Sequence, residues 1–193
     1  MTAFSENPIF PLMILKIARM GHPVLSQRAI PVSDPRAPEI ERLVNDMVET
    51  MADANGAGLA APQVHVPLRI VMFQAPGERS DPGLAEAECY DLTAPLTVLI
   101  NPEITILDAP KEGGWEGCLS VPGLRGWVER PGHIRYRGLS PDGRVIAREA
   151  RGFHARVVQH EVDHLDGRLY ISRMADLSRL VFESEIRHHT AAQ

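Results

Sequence analysis

The first strongly patterned stretch of the chain predicts an amphipathic helix from about residue 35 to residue 54. Asp34 is a favourable N-cap residue, Pro35 suits the first helical position, and Asn55-Gly56 is a typical stop signal. The apolar residues recur at helical spacing and form one stripe: Ile40, Leu43, Val44, Met47 and Met51. This stripe predicts that one face of the helix packs in the core.

Short apolar runs predict strands over residues 68–73, 96–100, 103–107, 133–137 and 144–149. The sequence Ser140-Pro141-Asp142-Gly143 separates the last two runs and predicts a hairpin turn. Asn101-Pro102 joins the second run to the third. Residues 74–95 are rich in proline, glycine and acidic side chains, which predicts a long surface loop.

Two more helical patterns complete the chain. One predicts a helix over about residues 153–165 that ends near Gly167, and the other is an amphipathic segment over residues 175–188. Helices mixed with short strands and hairpin turns predict an α+β fold, in which short antiparallel sheets pack around a central helix. We expect a single domain over residues 1–193, with an N-terminal arm at 1–13 and a C-terminal helix and tail at 175–193.

Composition narrows the class of protein. The chain has 193 residues, of which 44% are hydrophobic and 23% charged, which excludes a disordered chain, a collagen and a coiled coil. A net charge of −5 argues against a dedicated nucleic-acid binder. The two cysteines, Cys89 and Cys118, are too few for a disulfide scaffold. With no apolar run of membrane-spanning length and no signal-peptide pattern, a cytoplasmic protein is expected.

The predicted helix 153–165 carries a motif with metal-binding spacing. His160 and His164 are four residues apart, so both imidazoles lie on one helix face and can reach one ion. Glu161 lies about 100° around the helix, where it can take a proton from an ion-activated water without being a ligand. Apolar residues continue the face of the histidines, so both should point towards the core.

The third ligand distinguishes two kinds of enzyme. In one common hydrolase scheme, a glutamate about 20 residues beyond the second histidine completes the site, and Glu183 and Glu185 satisfy that count from His164. The other candidate is Cys118, because a thiolate with two imidazoles makes a tetrahedral site with one open position. The spacing alone leaves both alternatives open.

Three motifs together resemble those of peptide deformylases. They are Gly56-Ala-Gly-Leu-Ala-Ala-Pro-Gln63, Glu116-Gly-Cys-Leu-Ser120 and Gln159-His-Glu-Val-Asp-His164, in the order and approximate spacing of that family. The resemblance spans residues 15–177. It implies hydrolytic removal of the formyl group from the N-terminal formyl-methionine of newly made polypeptides. The expected partners are therefore nascent peptides that begin with formyl-methionine.

The resemblance also implies a role for individual residues. Cys118, His160 and His164 would bind one divalent ion, most often Fe²⁺, with Zn²⁺, Ni²⁺ or Co²⁺ as substitutes. Glu161 would act as general base and acid. Two further roles are implied: Gln63 and the backbone N–H of Leu119 would stabilise the oxyanion, and Arg125 would orient the peptide.

The chemistry of the substrate agrees with these roles. Formamide has only hydrogen on its carbonyl carbon, so a pocket walled by small residues can bring backbone close to it. The candidates for that wall are Gly56, Gly58, Ala60 and Ala61, with Gly58 assigned to substrate binding. On the other side of the helix from Glu161, Asp163 is positioned to brace an arginine such as Arg130.

Two other functions are compatible with parts of the sequence. A metallopeptidase would use Glu183 or Glu185 as third ligand, and a non-catalytic peptide- or RNA-binding relative would hold no metal. The C-terminal segment resembles a ribosome-contacting helix only weakly, because these two glutamates offset its basic residues, so a transient ribosome contact stays open. No membrane partner and no sequence-specific nucleic-acid partner are expected.

Overall fold

The structure, a computed structural model, describes residues 13–75, 92–107 and 110–190. Its strands, in chain order, are β1 (Gly58–Ala60), β2 (Ile70–Ala75), β3 (Ala94–Ile106), β4 (Lys111–Cys118), β5 (Val121–Pro131), β6 (His133–Leu139), β7 (Val145–Arg151) and β8 (Leu180–Phe182). They form a five-stranded sheet in the order β1-β2-β3-β6-β7 and a three-stranded sheet in the order β4-β5-β8. All of these pairings are antiparallel, so the α+β prediction is confirmed.

Helix α1 (Pro38–Asp53) is the predicted amphipathic helix, but its start was predicted three residues too early. Ala37 is the N-cap residue and Pro38, rather than Pro35, takes the first helical position. Asp34 instead accepts a hydrogen bond from the Arg36 N–H at 3.0 Å, in a turn before the helix. Two prolines suit a helix start equally well, and the local turn at Asp34 favours the second.

The five-stranded sheet is covered by a helix on each face. Along β2, Ile70 and Met72 pack with the apolar stripe of α1, whereas Val71 and Phe73 pack with α2 (Gly152–Leu165). Successive side chains of a strand point to opposite faces. Burial on both faces therefore explains why this strand is an unbroken apolar run in the sequence.

The two runs predicted on either side of Asn101 are one continuous strand, β3. Its pairing with β6 shifts between Ile100 and Glu103, where Asn101 adopts a left-handed φ of 52°. The Asn101 side chain bonds both the N–H and the carbonyl of Val32, each at 2.9 Å. The irregularity is thus a bulge held by the asparagine amide, and it does not end the strand. Most of the predicted loop 74–95, with Cys89, lies outside the described residues.

The hairpin predicted around residues 140–143 is present as β6 and β7. A second hairpin, β4 and β5, was not predicted, because β4 is rich in glycine and charge. Its glycines accommodate large neighbours: a Cβ added to Gly113 would lie 2.5 Å from the ring of Trp127. Close packing of aromatic side chains stabilises this strand, and the spacing of apolar residues in the sequence does not reveal such packing.

The prediction of a C-terminal helix over residues 175–188 is wrong. This segment forms a 3₁₀ turn at Leu177–Arg179, strand β8, a second 3₁₀ turn at Glu183–Glu185 and only a short helix α3 (Arg187–Thr190). Strand β8 adds to the edge of β5, and its backbone hydrogen bonds outweigh the helical spacing of its side chains. The N-terminal arm, apart from Met13, lies outside the described residues. Within the described ranges, no helix has the length and apolar character required to cross a bilayer.

Candidate active site

Helix α2 lies between the two sheets and carries the predicted histidines. It contacts β1, β2 and β7 on one side and β5 on the other. His160 and His164 are both buried, as predicted from the apolar residues that share their face. The end of β4 brings Cys118 to them: its Sγ lies 3.3 Å from Nε2 of His164. The ligand atoms of these three residues all lie within 4.8 Å of one another.

This arrangement favours the deprotonated form of Cys118. Burial alone raises the pKa of the thiol, but the imidazoles of His164 and His160 outweigh burial and hold that pKa well below its usual value. A thiolate is the form of cysteine that binds metals. One thiolate and two imidazoles converging on one point can hold a divalent ion in a tetrahedral site and leave its fourth position open.

Glu116 orients the first histidine. Its Oε2 accepts a hydrogen bond from Nδ1 of His160 at 2.9 Å, which leaves the Nε2 atom as the possible metal ligand. Arg130 forms a two-pronged pair with the same carboxylate at 2.6 and 2.9 Å, and Arg156 donates to it at 2.8 Å. Burial raises the pKa of Glu116, but His160 and Arg130 outweigh burial and hold it far below its ordinary value.

The predicted bond between Asp163 and Arg130 is confirmed. Nη1 of Arg130 donates to Oδ2 of Asp163 at 2.8 Å, and Nε of Arg173 donates to the same oxygen at 3.1 Å. Arg130 therefore links two buried carboxylates, one on β4 and one on α2. This network fixes the strand that carries Cys118 relative to the helix that carries the histidines.

Sequence reasoning did not assign a role to Glu116 or Arg156, although Glu116 lies inside one of the recognised motifs. A signal was present in its position: Glu116 lies two residues before the ligand candidate Cys118, within the same motif. A carboxylate beside a metal ligand is a common partner for a ligating histidine.

Glu161 is buried beside this centre without being part of the three-residue cluster. Its Oε2 atom has no hydrogen-bond partner among the described residues. Burial raises the pKa of Glu161 to about 7. A carboxyl group with a pKa near neutrality can both accept and donate a proton, as a general base and acid requires.

Gly58 allows the Glu161 carboxylate to occupy this position. A Cβ added to Gly58 would overlap the carboxylate, so the absence of a side chain creates the space for it. Gly56 and Gly58 line the cavity as predicted. The prediction for Ala60 and Ala61 is wrong, because both are fully buried in the apolar core.

Gln63 is held with its amide nitrogen facing the centre. Its Oε1 accepts the Ala60 N–H at 2.8 Å, and its Nε2 donates to Oγ of Ser120 at 3.1 Å. The same Nε2 lies 3.5 Å from Sγ of Cys118. Because the other end of the amide is fixed to the backbone, its N–H donors face Ser120 and Cys118 beside the centre.

A cavity of about 510 Å³ opens onto these groups. Its lining includes Gln63, Cys118, Leu119, Glu161 and Arg125. The structure thus brings the sequence-predicted site residues around one cavity, with His164 behind His160 and Cys118.

The glutamates of the metallopeptidase alternative lie elsewhere. Glu183 forms an ion pair with Arg125 at the edge of the cavity. Glu185 lies 3.6 Å from Nε2 of His188 and is exposed. Among the described residues, Cys118 is the side chain that joins the two histidines, so the geometry favours the thiolate site.

Comparison with known proteins gives a consistent result. A family model described as polypeptide deformylase matches residues 14–180. Peptide deformylase 2 of Bordetella bronchiseptica is 54% identical over 168 residues, which cover 86% of this chain and 91% of that protein. The peptide deformylase structure from Ehrlichia chaffeensis is 36% identical, with a TM-score of 0.77, and covers 86% of this chain and 90% of that one. A Met-Ala-Ser-bound peptide deformylase from Acinetobacter baumannii is 34% identical with a TM-score of 0.74, covering 85% of this chain and 100% of that one.

Proposed function

Because the chain belongs to the polypeptide deformylase family, we propose that Cys118, His160 and His164 hold its metal ion and that Glu161 transfers the protons of the reaction. Members of this family are metal-dependent hydrolases that remove the N-formyl group from nascent peptides, and so is this protein. One observation carries the residue assignment: a thiol and two imidazoles converge within 4.8 Å beside a buried carboxylate that has an unpartnered oxygen.

The donor set fits one divalent ion, which we infer to be Fe²⁺, with Zn²⁺, Ni²⁺ or Co²⁺ as substitutes. A soft thiolate and two neutral imidazoles are suitable ligands for these ions. Glu116 supports the fit, because an ionised carboxylate at Nδ1 of His160 selects the tautomer with a free lone pair on Nε2. When bound, such an ion lowers the pKa of water towards 7 and polarises a carbonyl oxygen.

Glu161 is the proton-transfer residue in this proposal. As a base it takes the proton of the attacking water, and as an acid it then gives a proton to the leaving amine nitrogen. Burial supports both steps, because a carboxyl group with a pKa of about 7 is populated in both protonation states near neutral pH. Formate and a peptide with a free N-terminus are the products.

Stabilisation of the oxyanion that forms on the formyl group is assigned to the side chain of Gln63 and to the backbone N–H of Leu119. Fixation of the Gln63 amide by Ala60 and Ser120 supports the first assignment, since a donor that is already oriented costs no reorganisation during the reaction. An oxyanion donor typically lowers the barrier by about 3–4 kcal/mol.

Substrate binding is assigned to Gly58 and Arg125. Gly58 lies where backbone can approach the small formyl group, while Arg125 lines the cavity and can orient the peptide. The pocket should reject an acetyl group, which is one methyl larger. An acetyl-Met peptide is therefore expected to be a poor substrate beside the matching formyl-Met peptide.

We further infer that the enzyme is cytoplasmic, because its substrates are chains leaving the ribosome. Residues 1–193 are inferred to act as one catalytic domain. Any ribosome contact is inferred to be transient, since Glu183 and Glu185 offset the basic residues near the C-terminus. No direct contact with a membrane or with a specific nucleic-acid sequence is proposed.

Metal content and formyl-peptide turnover of matched cysteine variants, purified under nitrogen, test the proposed site. Cys118→Ser should lose most of its metal and activity, because a hydroxyl is a poor ligand at neutral pH. Cys89→Ser is the control and should keep both. Full metal and full activity in Cys118→Ser would reject the thiolate site.

A further inference from the structure

An ion pair lies at the mouth of the cavity. Nε and Nη2 of Arg125 both donate to Oε1 of Glu183, with the Nε bond at 3.1 Å. Both residues line the same cavity as Cys118 and Glu161. Their side chains keep 37% and 54% of their exposure, so a peptide in the cavity can reach them.

Strand β8 determines the position of Glu183. It pairs with β5 so that Val181 lies opposite Arg125, and Glu183 follows directly after the strand. Just before the strand, the guanidinium of Arg179 lies 4.0 Å from the ring centroid of Trp127. The pairing with β5 and this cation–π contact hold β8 in place, and they thereby position Glu183 at the end of the strand.

The Arg125 side chain also packs against Gly117. A Cβ added to Gly117 would overlap the guanidinium, so Arg125 lies flat against the backbone of the strand that carries Cys118. Between Gly117 and Glu183, the cation is held at one place on the rim. The rim thus carries one positive and one negative charge side by side, where both can interact with a charged peptide.

We propose that Glu183 is a specificity-determining residue, whose ion pair with Arg125 sets the preference for charge in the peptide residues that follow formyl-methionine. This inference rests on the proposed role of Arg125 in substrate binding. An acidic side chain that approaches Arg125 must compete with Glu183 and also meets its negative charge. A basic side chain is attracted by Glu183, so this carboxylate shifts the charge preference that Arg125 alone would set away from acidic peptides and towards basic ones.

The test compares formyl-Met-Asp-Asp-Ala-amide with formyl-Met-Lys-Lys-Ala-amide at low salt. The quantity measured is the ratio of kcat/KM for the acidic peptide to kcat/KM for the basic one. Glu183→Gln should raise this ratio about three- to tenfold, the range expected for one charge at a partly exposed site. The difference should shrink at high salt, because a Debye length of about 3 Å at 1 M screens the interaction.

The matched control is Glu185→Gln. It removes the same charge two residues along the same segment, from a carboxylate that faces His188 rather than the cavity. Its ratio should equal that of the unchanged protein. Glu183→Lys extends the series and should raise the ratio further than Glu183→Gln. If Glu183 only fastened β8, its removal would change kcat/KM for both peptides by the same factor.

An unchanged ratio in Glu183→Gln, or an equal rise in Glu185→Gln, would overturn the inference. The neutral peptide formyl-Met-Ala-Ala-amide distinguishes this failure from a failure of the proposed site. If the unchanged protein hydrolyses the neutral peptide while the ratio does not respond, only the inference fails. If it does not hydrolyse the neutral peptide, the proposed function fails and the inference fails with it.

Discussion

The Nδ1 atom of His160 and the Oε2 atom of Glu116 are 2.9 Å apart, and both groups are buried. The carboxylate accepts hydrogen bonds from three side chains: the imidazole of His160 and the guanidinium groups of Arg130 and Arg156. Its negative charge therefore fixes the ring orientation of His160 and is shared between two cations. Glu116 therefore connects His160 of the proposed metal centre to the buried arginines.

Glu116→Gln should weaken metal binding about 10- to 100-fold, the usual effect of removing a partner of a ligating histidine. The amide keeps the size of the side chain but not its charge, so the N–H of His160 loses a strong acceptor. Competition with a chelator measures the affinity. Glu112→Gln is the control, because this exposed residue lies on the same strand and contributes to the network only through its backbone carbonyl, which the substitution keeps. Equal metal affinity in both variants would contradict the prediction.

Glu161→Gln should keep one metal per chain and a folded structure but lose turnover. The side chain lies beside the proposed ligands without joining them, and it can no longer carry a proton. General acid–base catalysis by one group typically contributes about 10²–10⁴-fold, which sets the expected loss in kcat. Elemental analysis and a formyl-peptide assay on the same preparation measure both properties. Loss of the metal together with the activity would show that Glu161 is a ligand instead.

Gly58→Ala should lower kcat while leaving the metal bound. The added Cβ overlaps the Glu161 carboxylate, so this side chain must move away from its place beside the centre. A displacement of about 1 Å can reduce a rate about 100-fold. Steady-state kinetics with metal analysis tests this expectation, and a variant with unchanged kcat would show that Glu161 tolerates the shift.

Arg130→Met should destabilise the fold by about 3–5 kcal/mol, the effect of removing one partner from a buried ion pair. Two buried carboxylates, Glu116 and Asp163, would lose the cation between them. Urea unfolding followed by circular dichroism gives the free energy of unfolding. Arg135→Met is the matched control: its pair with Glu149 is more than half exposed on the arginine side, so the loss should stay within about 1 kcal/mol. Equal losses in the two variants would contradict the prediction.

Features of the fold that depend on local spacing could be predicted from the sequence. The stripe of α1, the hairpin of β6 and β7 and the paired histidines of α2 follow from residues close together in the chain. Periodicity and turn chemistry act over a few residues, so they can be recognised without tertiary contacts. The family motifs added the identity of the third ligand candidate, Cys118, which spacing had left open beside Glu183 and Glu185.

Contacts between groups that are distant in the chain could not be predicted in this way, because they arise from the packing of the fold. The segment after residue 176 has helical spacing, yet it forms β8 because the edge of β5 offers it backbone partners. Contact of Glu116 with His160, of Glu161 with Gly58 and of Glu183 with Arg125 joins residues far apart in the chain. Such contacts depend on how the strands and helices pack and on which charges must be compensated once buried, and neither condition is expressed in any local pattern of residues.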